Sequence, residues 1–324
     1  MSQPFAIVGA GALGQSFAAL LARAGCEVTL LSTERTAERL RAFGEIRLVG
    51  AVEARVPLDS LRLTADPEQL PRGAGVIFTT KGQDLPRAVE HVRDGAQVGW
   101  VAGVQNGVQK DDLLSDAFGA ERTLGAATIF GARRTETGEV HVGSSGMTYL
   151  GEFGGRLSDR AVDAATALQN AGIPTEARSD IESVLWSKAC NATGVFGVTV
   201  LARASNQRLF SDRHLMSAYL ALVRETAAVA RAGGVQVGNF KGFPPIQSYV
   251  ERSEADILAE VPEQPFDGDP PAYASMTNDL LAGFPLEVEG VFGDVVERGT
   301  RQYISVPCLR FVRDMIRGLN RGSI

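Results

Sequence analysis

Histidine, cysteine and tryptophan are scarce in this chain of 324 residues, which contains 3, 3 and 2 of them. The histidines and cysteines are His91, His141, His214, Cys26, Cys190 and Cys308. Their spacing matches no metal-ligand motif, so we expect no bound metal. Because no C-x-x-C pair occurs, we also expect reduced, buried thiols in a cytoplasmic protein.

The sequence has no excess of positive charge, and we expect neither a membrane-spanning apolar run nor a secretory signal. Its net charge is −6, which argues against nucleic acid or an anionic membrane as a partner. No apolar run reads as long enough to cross a bilayer, and the first apolar run follows no basic segment. We therefore expect a cytoplasmic protein whose partners include neither membrane nor nucleic acid.

A G-x-G-x-x-G turn follows the first apolar run, Phe5–Val8, and an Ala-rich stretch follows the turn. Strand, glycine turn and helix in this order predict a dinucleotide-binding unit. The first glycine permits the tight turn, the second lets a pyrophosphate approach, and the third lets the helix pack on the strand. The first N–H groups of the helix favour phosphate. The predicted cofactor-binding residues here are Gly9, Gly11, Ala12, Leu13 and Gly14.

The end of the second predicted strand indicates which nicotinamide cofactor is bound. An Asp or Glu there usually contacts the ribose hydroxyls of NAD, whereas an Arg or small hydroxyl residues suit the 2′-phosphate of NADP. Here Ser32 and Thr33 offer neutral donors, and Arg35 can bind a phosphate with two hydrogen bonds. Glu34 either serves a ribose or begins the next helix. We predict NADPH rather than NADH.

Helical stretches alternate with strands predicted at Glu27–Leu31, Gly75–Thr79 and Val98–Val104, and this alternation predicts a parallel sheet covered by helices. Thr/Val-rich strands flank the turn Thr135–Gly138 and indicate a hairpin or an antiparallel edge that closes the sheet. After about residue 179 the pattern is helical. The predicted fold class is α/β: a Rossmann-like dinucleotide-binding domain over residues 1–178 and an all-helical domain over residues 179–324.

Lys188 stands on the apolar face of a predicted helix that begins after Asp180. It lies at i+7 from Ile181 and i+4 from Val184, so it shares their side of the helix. One interpretation is a lysine whose ammonium extends to the surface. The other is a partly desolvated lysine that acts as a general acid.

Three further segments allow both a structural and a functional interpretation, or favour the structural one. Glu287 follows Pro285 at a predicted helix start over residues 286–297, where the helix dipole favours a carboxylate, and it is also a candidate partner of Lys188. The proline-rich stretch over residues 261–271 predicts a surface loop, which could also fold over a ligand. An apolar stripe in the last helix is more typical of core than of an interface. Its members are Val306, Leu309, Val312 and Ile316.

Several short motifs, in order and at matching spacing, resemble the 2-dehydropantoate 2-reductases, also called ketopantoate reductases. The resemblance covers nearly the whole chain. Besides the glycine turn, the motifs are Thr80-Lys81-Gly82-Gln83, Gln105-Asn106-Gly107, Gly138-Glu139-Val140-His141, Trp186-Ser187-Lys188 and Ser275-Met276, with Glu287-Val288-Glu289 following.

The resemblance implies a role for each matching residue. Lys188 would protonate the carbonyl oxygen of the substrate, and Glu287 would contact the substrate hydroxyl and the lysine. Ser275 would bind the substrate carboxylate, Asn106 would lie beside nicotinamide and substrate, and Lys81 would touch the ribose region. The resemblance further implies NADPH as cofactor and a small 2-keto acid as substrate. It leaves monomer and homodimer both open.

One departure from the family pattern concerns the substrate. Family members usually carry asparagines four and eight residues after the lysine, where this chain has Ala192 and Phe196. Asn191, three residues after Lys188, can replace the first on a helix. Nothing replaces the second asparagine, so the pocket would be more apolar. A site that loses the polar partner of a substrate hydroxyl discriminates less well between substrates.

Three functions therefore remain. The first is NADPH-dependent reduction of a 2-keto acid to a 2-hydroxy acid, with 2-dehydropantoate and pantothenate biosynthesis implied by the resemblance. The second is reduction of another branched or aromatic 2-keto acid. The third is a non-catalytic NADP(H) sensor, which would have no need of Lys188, Glu287 and Ser275.

Overall fold

The computed structural model describes residues 3–321, and the chain divides into two compact units. The first unit comprises the chain up to Gln105 together with Lys110–Ile181, and the second comprises Asn106–Gln109 together with the chain from Glu182 onward. The domain limits at 178 and 179 stay a prediction. The sequence contained no sign that the four-residue loop Asn106–Gln109 would group with the second unit.

A single sheet forms the centre of the first unit. In the described part of the chain its strands are β1 (Phe5–Val8), β2 (Val28–Leu31), β3 (Glu45–Gly50), β4 (Ala54–Pro57), β5 (Arg62–Thr64), β6 (Ala74–Phe78), β7 (Val98–Gly103), β8 (Thr123–Arg134), β9 (Val140–Glu152) and β10 (Thr175–Ala177). Their order is β4-β3-β9-β8-β7-β6-β1-β2-β5, with β10 beside β9. Strands β5, β2, β1, β6, β7 and β8 run parallel, as the alternating pattern predicts.

Helices cover both faces of this sheet. They are α1 (Ala12–Arg23), α2 (Glu34–Phe43), α3 (Leu85–Gly95), α4 (Gln109–Phe118) and α5 (Asp159–Asn170). Alternate residues of β1 enter opposite cores: Phe5 and Ile7 pack in one, and Ala6 and Val8 in the other. A strand that is buried on both faces is a continuous apolar run in the sequence, and this pattern predicts β1.

The predicted hairpin at Thr135–Gly138 is confirmed, since β8 and β9 pair antiparallel across it. The alternative of an edge that closes the sheet is wrong, because β9 also pairs with β3 and with β10. Strands β3, β4 and β5 lie between β2 and β6, where the sequence pattern located no individual strand.

The regular elements described in the second unit are helical, and the predicted fold class is confirmed. They are α6 (Ile181–Ala202), α7 (Asn206–Ser211), α8 (Arg213–Ala232), α9 (Ile246–Glu251), α10 (Glu254–Ala259), α11 (Ser275–Leu281), α12 (Asp294–Arg301) and α13 (Pro307–Arg321). The predicted stripe Val306, Leu309, Val312 and Ile316 is buried, and residues 261–271 form no helix.

Two helices differ from their predicted form. Helix α6 continues well past Lys188 to Ala202, and its 22 residues are long and apolar enough to cross a membrane, so the expectation of no such run is wrong. In the structure 78% of its most apolar stretch is buried, which is typical of a central core helix. The predicted helix over residues 286–297 is instead one π-helical turn, Glu289–Gly293, followed by α12.

Candidate functional site

The glycine turn after β1 has the geometry that the motif predicts. Gly9 has a φ of +106°, a region that favours glycine. A Cβ on Gly14 would lie 1.9 Å from the Gly9 carbonyl oxygen and 2.5 Å from Thr79 Oγ1, whose hydroxyl donates a 2.8 Å hydrogen bond to that carbonyl. Only a glycine therefore allows α1 to start this close to the turn.

Gly11 is different, because the space beside it is open. A Cβ there would meet nothing within 4 Å, and the residue is exposed. Gly11 is also the N-cap of α1 and offers no side-chain acceptor, so the first N–H groups of the helix, at Ala12 and Leu13, have no intrahelical partner. Open space in front of free N–H groups fits the pyrophosphate of a dinucleotide.

The residues at the end of β2 are arranged in a way that bears on cofactor choice. Thr33 is the N-cap residue of α2 and makes no side-chain cap hydrogen bond, and Ser32 Oγ donates to the Thr33 carbonyl at 3.0 Å. Glu34 accepts a 2.9 Å ion pair from Arg41 farther along α2. Arg35 is exposed, and its guanidinium contacts no acceptor among residues 3–321. The carboxylate is therefore engaged along the helix, whereas the cation is available to an anion.

Lys81 belongs to the same end of the sheet, three residues after β6, and β6 is the neighbour of β1. Lys81 is exposed and occupies the N-cap position of the short turn Gly82–Asp84. Nearby, Gln105 Nε2 donates to the carbonyls of Phe78 and Thr80 at 3.0 and 3.1 Å. Gln105 Oε1 and Thr80 Oγ1 are buried without a hydrogen-bond partner in the described part of the chain, so this edge has unmet capacity for a polar ligand.

The remaining candidates belong to the second unit, where α6 is the central element. Lys188 and Asn191 are partly buried on it, although most residues around them are fully buried. Trp186 packs under the guanidinium of Arg298 on α12 at 5.9 Å from the ring centroid. A Cβ on Gly197 would meet side-chain atoms of Leu222, Val312 and Phe292. The helix is thus held on several sides, which fixes the position of Lys188.

The segments that carry Asn106 and Glu287 come together in this unit. Gly107 has a φ of +83°, and a Cβ there would lie 1.9 Å from the carbonyl oxygen of Gly290. Gly290 is in the π-helical turn that begins two residues after Glu287. Glu287 itself is partly buried and lies just before the helical residues, where its carbonyl accepts from Val291 N at 3.3 Å. The prediction that Glu287 lies in the first turn of a helix is therefore wrong.

Ser275 is the first residue of α11 and is exposed. Its helix is attached to α6 through a 2.7 Å hydrogen bond between the hydroxyls of Thr277 and Thr199. Thr199 lies eleven residues after Lys188, which is three helical turns along the same face, or about 16 Å. The structure therefore connects the Ser275 helix to the far part of the Lys188 face.

One residue of this region was missed by sequence reasoning. Tyr219 on α8 is fully buried, and its hydroxyl donates a 3.0 Å hydrogen bond to Asn191 Oδ1. A tyrosine in an amphipathic helix carries no signal of such a contact. Ala192 and Phe196, which replace the family asparagines, are buried apolar residues at 5% and 7% exposure.

Comparison with known proteins gives a consistent result. Residues 5–155 match the family model described as ketopantoate reductase PanE/ApbA, and residues 180–320 match the model of its C-terminal part. A 2-dehydropantoate 2-reductase of Archaeoglobus fulgidus is 29% identical over 98% of this chain and 97% of its own length. That of Halobacterium salinarum is 29% identical over 98% and 99%. The crystal structure of a PanE/ApbA family ketopantoate reductase from Ralstonia eutropha superposes with a TM-score of 0.80 at 23% identity, covering 99% of both chains.

Proposed function

Because the chain belongs to the ketopantoate reductase family, we propose that it reduces 2-dehydropantoate to pantoate with NADPH, an oxidoreductase step of pantothenate biosynthesis. Lys188 carries this proposal, since it is a partly buried lysine on a helix whose adjacent residues, Ser187 and Ala189, are buried. A lysine in such a place is suited to hold a proton near a substrate.

When bound in this site, NADPH would supply the hydride for the C2 carbon of the keto acid. As that carbon gains the electron pair, negative charge develops on the carbonyl oxygen. The Lys188 ammonium stabilises this charge and transfers its proton to the oxygen, which yields the 2-hydroxy acid. Glu287 contacts the substrate hydroxyl and the lysine, while Ser275, Asn106 and Asn191 bind and orient the substrate.

The glycine turn and its neighbours support a bound dinucleotide, and the end of β2 supports NADPH. Ser32, Thr33 and Arg35 would contact the 2′-phosphate, and Lys81 the ribose region. Because Glu34 is paired with Arg41, it does not supply an unpaired carboxylate that would repel a 2′-phosphate.

A second substrate class is favoured by Ala192 and Phe196. With these buried apolar residues in place of asparagines, the chain has fewer hydrogen-bonding groups for a substrate hydroxyl. A branched or aromatic 2-keto acid is therefore the alternative substrate. A sensor without catalysis is disfavoured because it would not need Lys188, Glu287 and Ser275.

The test is oxidation of NADPH by the purified protein with 2-dehydropantoate, 2-ketoisovalerate, 2-ketoisocaproate and phenylpyruvate, repeated with NADH. We expect selective turnover of 2-dehydropantoate, and we expect Lys188→Ala to lower kcat at least about a hundredfold. Lys241→Ala, which changes an exposed lysine of the same unit, is the matched control and should keep full activity.

The possible results distinguish the proposed function from its alternatives. Preference for phenylpyruvate or 2-ketoisocaproate would support the apolar substrate class. NADPH binding without turnover of any keto acid would leave the sensor. Full activity of Lys188→Ala would contradict the proposed proton donor, and a Michaelis constant that favours NADH tenfold would contradict the proposed cofactor.

We also propose that the protein is cytoplasmic and forms a homodimer through the outer face of α13. The three cysteines are unpaired, which agrees with a reducing compartment. On α13 the side chains of Phe311 and Met315 are 63% and 47% exposed, and nearby Tyr303 is 97% exposed. Apolar side chains exposed together on one surface are typical of an interface.

The charges on this face suit a second copy of the same chain. Arg310 and Asp314 flank the two apolar side chains on α13. When two copies of the helix run antiparallel about a two-fold axis near residue 312, Arg310 faces Asp314 of the other copy. Along the helix the same axis lies between Phe311 and Met315, so the apolar side chains of the two copies meet around it.

A further inference from the structure

The hydrogen bond from Tyr219 to Asn191 is made by a buried hydroxyl whose ring is held by aromatic packing. The Tyr219 side chain has no solvent exposure, and its ring packs edge-on against Phe210 and Tyr249 at centroid distances of 5.4 and 6.0 Å. Its hydroxyl then reaches Asn191 Oδ1 at 3.0 Å. Burial also raises the pKa of Tyr219 well above its ordinary value, so the hydroxyl stays a donor at every physiological pH.

The α6 backbone leaves space for this tyrosine. Gly194 lies one turn after Asn191, and a Cβ there would come within 2.5 Å of Tyr219 Cδ2 and 2.6 Å of its Cε2. A glycine inside a helix lowers its stability by roughly 1 kcal/mol relative to alanine. Here that cost lets the ring lie against α6, with the hydroxyl directed at the Asn191 amide.

The hydrogen bond determines which end of the amide is available. Because Oδ1 accepts from the tyrosine, Nδ2 is directed elsewhere, and it makes no hydrogen bond to any residue between 3 and 321. Asn191 is only partly buried and lies one turn from Lys188 on the same side of α6. Its two N–H groups are therefore presented beside the proposed proton donor.

We infer that Tyr219 is a positioning residue for substrate: it fixes the Asn191 amide so that Nδ2 donates a hydrogen bond to an oxygen of the bound keto acid. This inference rests on the proposed function. Without the tyrosine hydroxyl the amide can rotate and present its oxygen, which repels the carboxylate or carbonyl oxygen of the substrate.

The first test is Tyr219→Phe, which removes the hydroxyl and keeps the ring beside Gly194. We expect the KM of the keto acid to rise about tenfold, since a lost hydrogen bond to a substrate costs about that factor. The kcat and the KM of NADPH should change little. Tyr249→Phe is the control, because it removes a hydroxyl from the same aromatic cluster without touching Asn191.

A second variant tests the donor itself. Asn191→Asp still accepts from Tyr219 but has no N–H group, and its charge opposes a carboxylate substrate. We expect the KM of the keto acid to rise more than in Tyr219→Phe. In an Asn191→Ala background, Tyr219→Phe should cause no further change in KM, because the group that it positions is gone.

The outcomes distinguish this inference from the proposed function. If the wild-type protein reduces no keto acid, both are overturned. If the wild type is active and Tyr219→Phe or Asn191→Asp leaves KM unchanged, only the positioning role is overturned. A Tyr219→Phe effect that persists fully in Asn191→Ala would assign the tyrosine a packing role instead.

Discussion

Gly11 and Gly14 lie in one motif but perform different tasks, and the structure separates them. Gly14 lies against the backbone of Gly9, whereas Gly11 faces open space. Gly14 is therefore needed for the fold, and Gly11 for the ligand. The spacing of the motif treats the two glycines alike. The structure shows which glycine, when substituted, would destabilise the protein.

A pair of alanine substitutions tests this division. Gly11→Ala should leave the melting temperature within about 2 °C of the wild type, because its methyl group meets nothing in the protein. It should weaken NADPH binding at least about tenfold, since the methyl group occupies the space meant for the pyrophosphate. Thermal unfolding and titration with NADPH measure the two effects.

Gly14→Ala is the matched comparison, and it should destabilise the protein by about 1–3 kcal/mol or more through overpacking. Equal losses of stability in the two variants would contradict the assignment. So would unchanged NADPH affinity in Gly11→Ala.

At the same scale, the candidate site was predictable only where a residue type is tied to a pattern. The glycines, Lys188 and Glu287 stand at recognisable spacing, so the sequence indicated them. Tyr219 was missed because its contact with Asn191 joins residues 28 positions apart through tertiary packing. No local pattern encodes a contact of that kind.

Among the elements, α6 depends on small residues where other helices pack on it. Gly194 and Gly197 are both interior residues of this helix, and a Cβ on either would meet a side chain at 2.5–2.6 Å. Their low helix propensity is offset by the close packing of Tyr219 and Leu222. Gly318 on α13 contrasts with them, because a Cβ there meets nothing within 4 Å.

Alanine substitutions at Gly194 and Gly318 should change the free energy of unfolding in opposite directions. Gly194→Ala should lower the free energy of unfolding by about 1–2 kcal/mol, since displacement of the tyrosine ring outweighs the gain in helix propensity. Gly318→Ala should raise it by up to about 1 kcal/mol, because only propensity changes. Denaturant titrations of both variants measure the difference, and stabilisation by Gly194→Ala would contradict the packing argument.

The element boundaries show where local reasoning stops. Strands β1, β2, β6 and β7 are continuous apolar runs and were identified. Strand β3 was not, because its residues alternate between buried and half-exposed and its partner β9 lies about ninety residues later. The sequence predicts α-helix at Glu289–Gly293, because residue spacing does not distinguish a single π-helical turn from an α-helix. In the structure Gly290 of this turn lies close to Gly107.

For the molecule as a whole, the proposed homodimer makes a prediction about charge pairs. Light scattering should give twice the chain mass of 34.4 kDa. Arg310→Asp should shift the protein toward monomer, because it places like charges opposite each other across the axis. Adding Asp314→Arg to it should restore the dimer, since the swapped charges again attract.

Leu157→Glu is the control, because it introduces a charge at an exposed apolar residue of the first unit that is not part of the proposed interface. It should remain dimeric. A monomeric wild type, or a double variant no better associated than the single one, would contradict the pairing of these two residues.

The order of the strands has a consequence for how the chain is made. The β3–β4 hairpin is complete by Pro57, but the strand that covers its inner edge, β9, begins at Val140. At about 5–20 residues per second, a ribosome needs roughly 4–17 s to deliver that partner. A two-stranded hairpin is only marginally stable alone, so the growing chain carries an unpaired strand edge during this interval. The nascent first unit is therefore most open to misassociation before its hairpin β8–β9 has emerged, and slow translation through residues 58–140 would prolong that exposure.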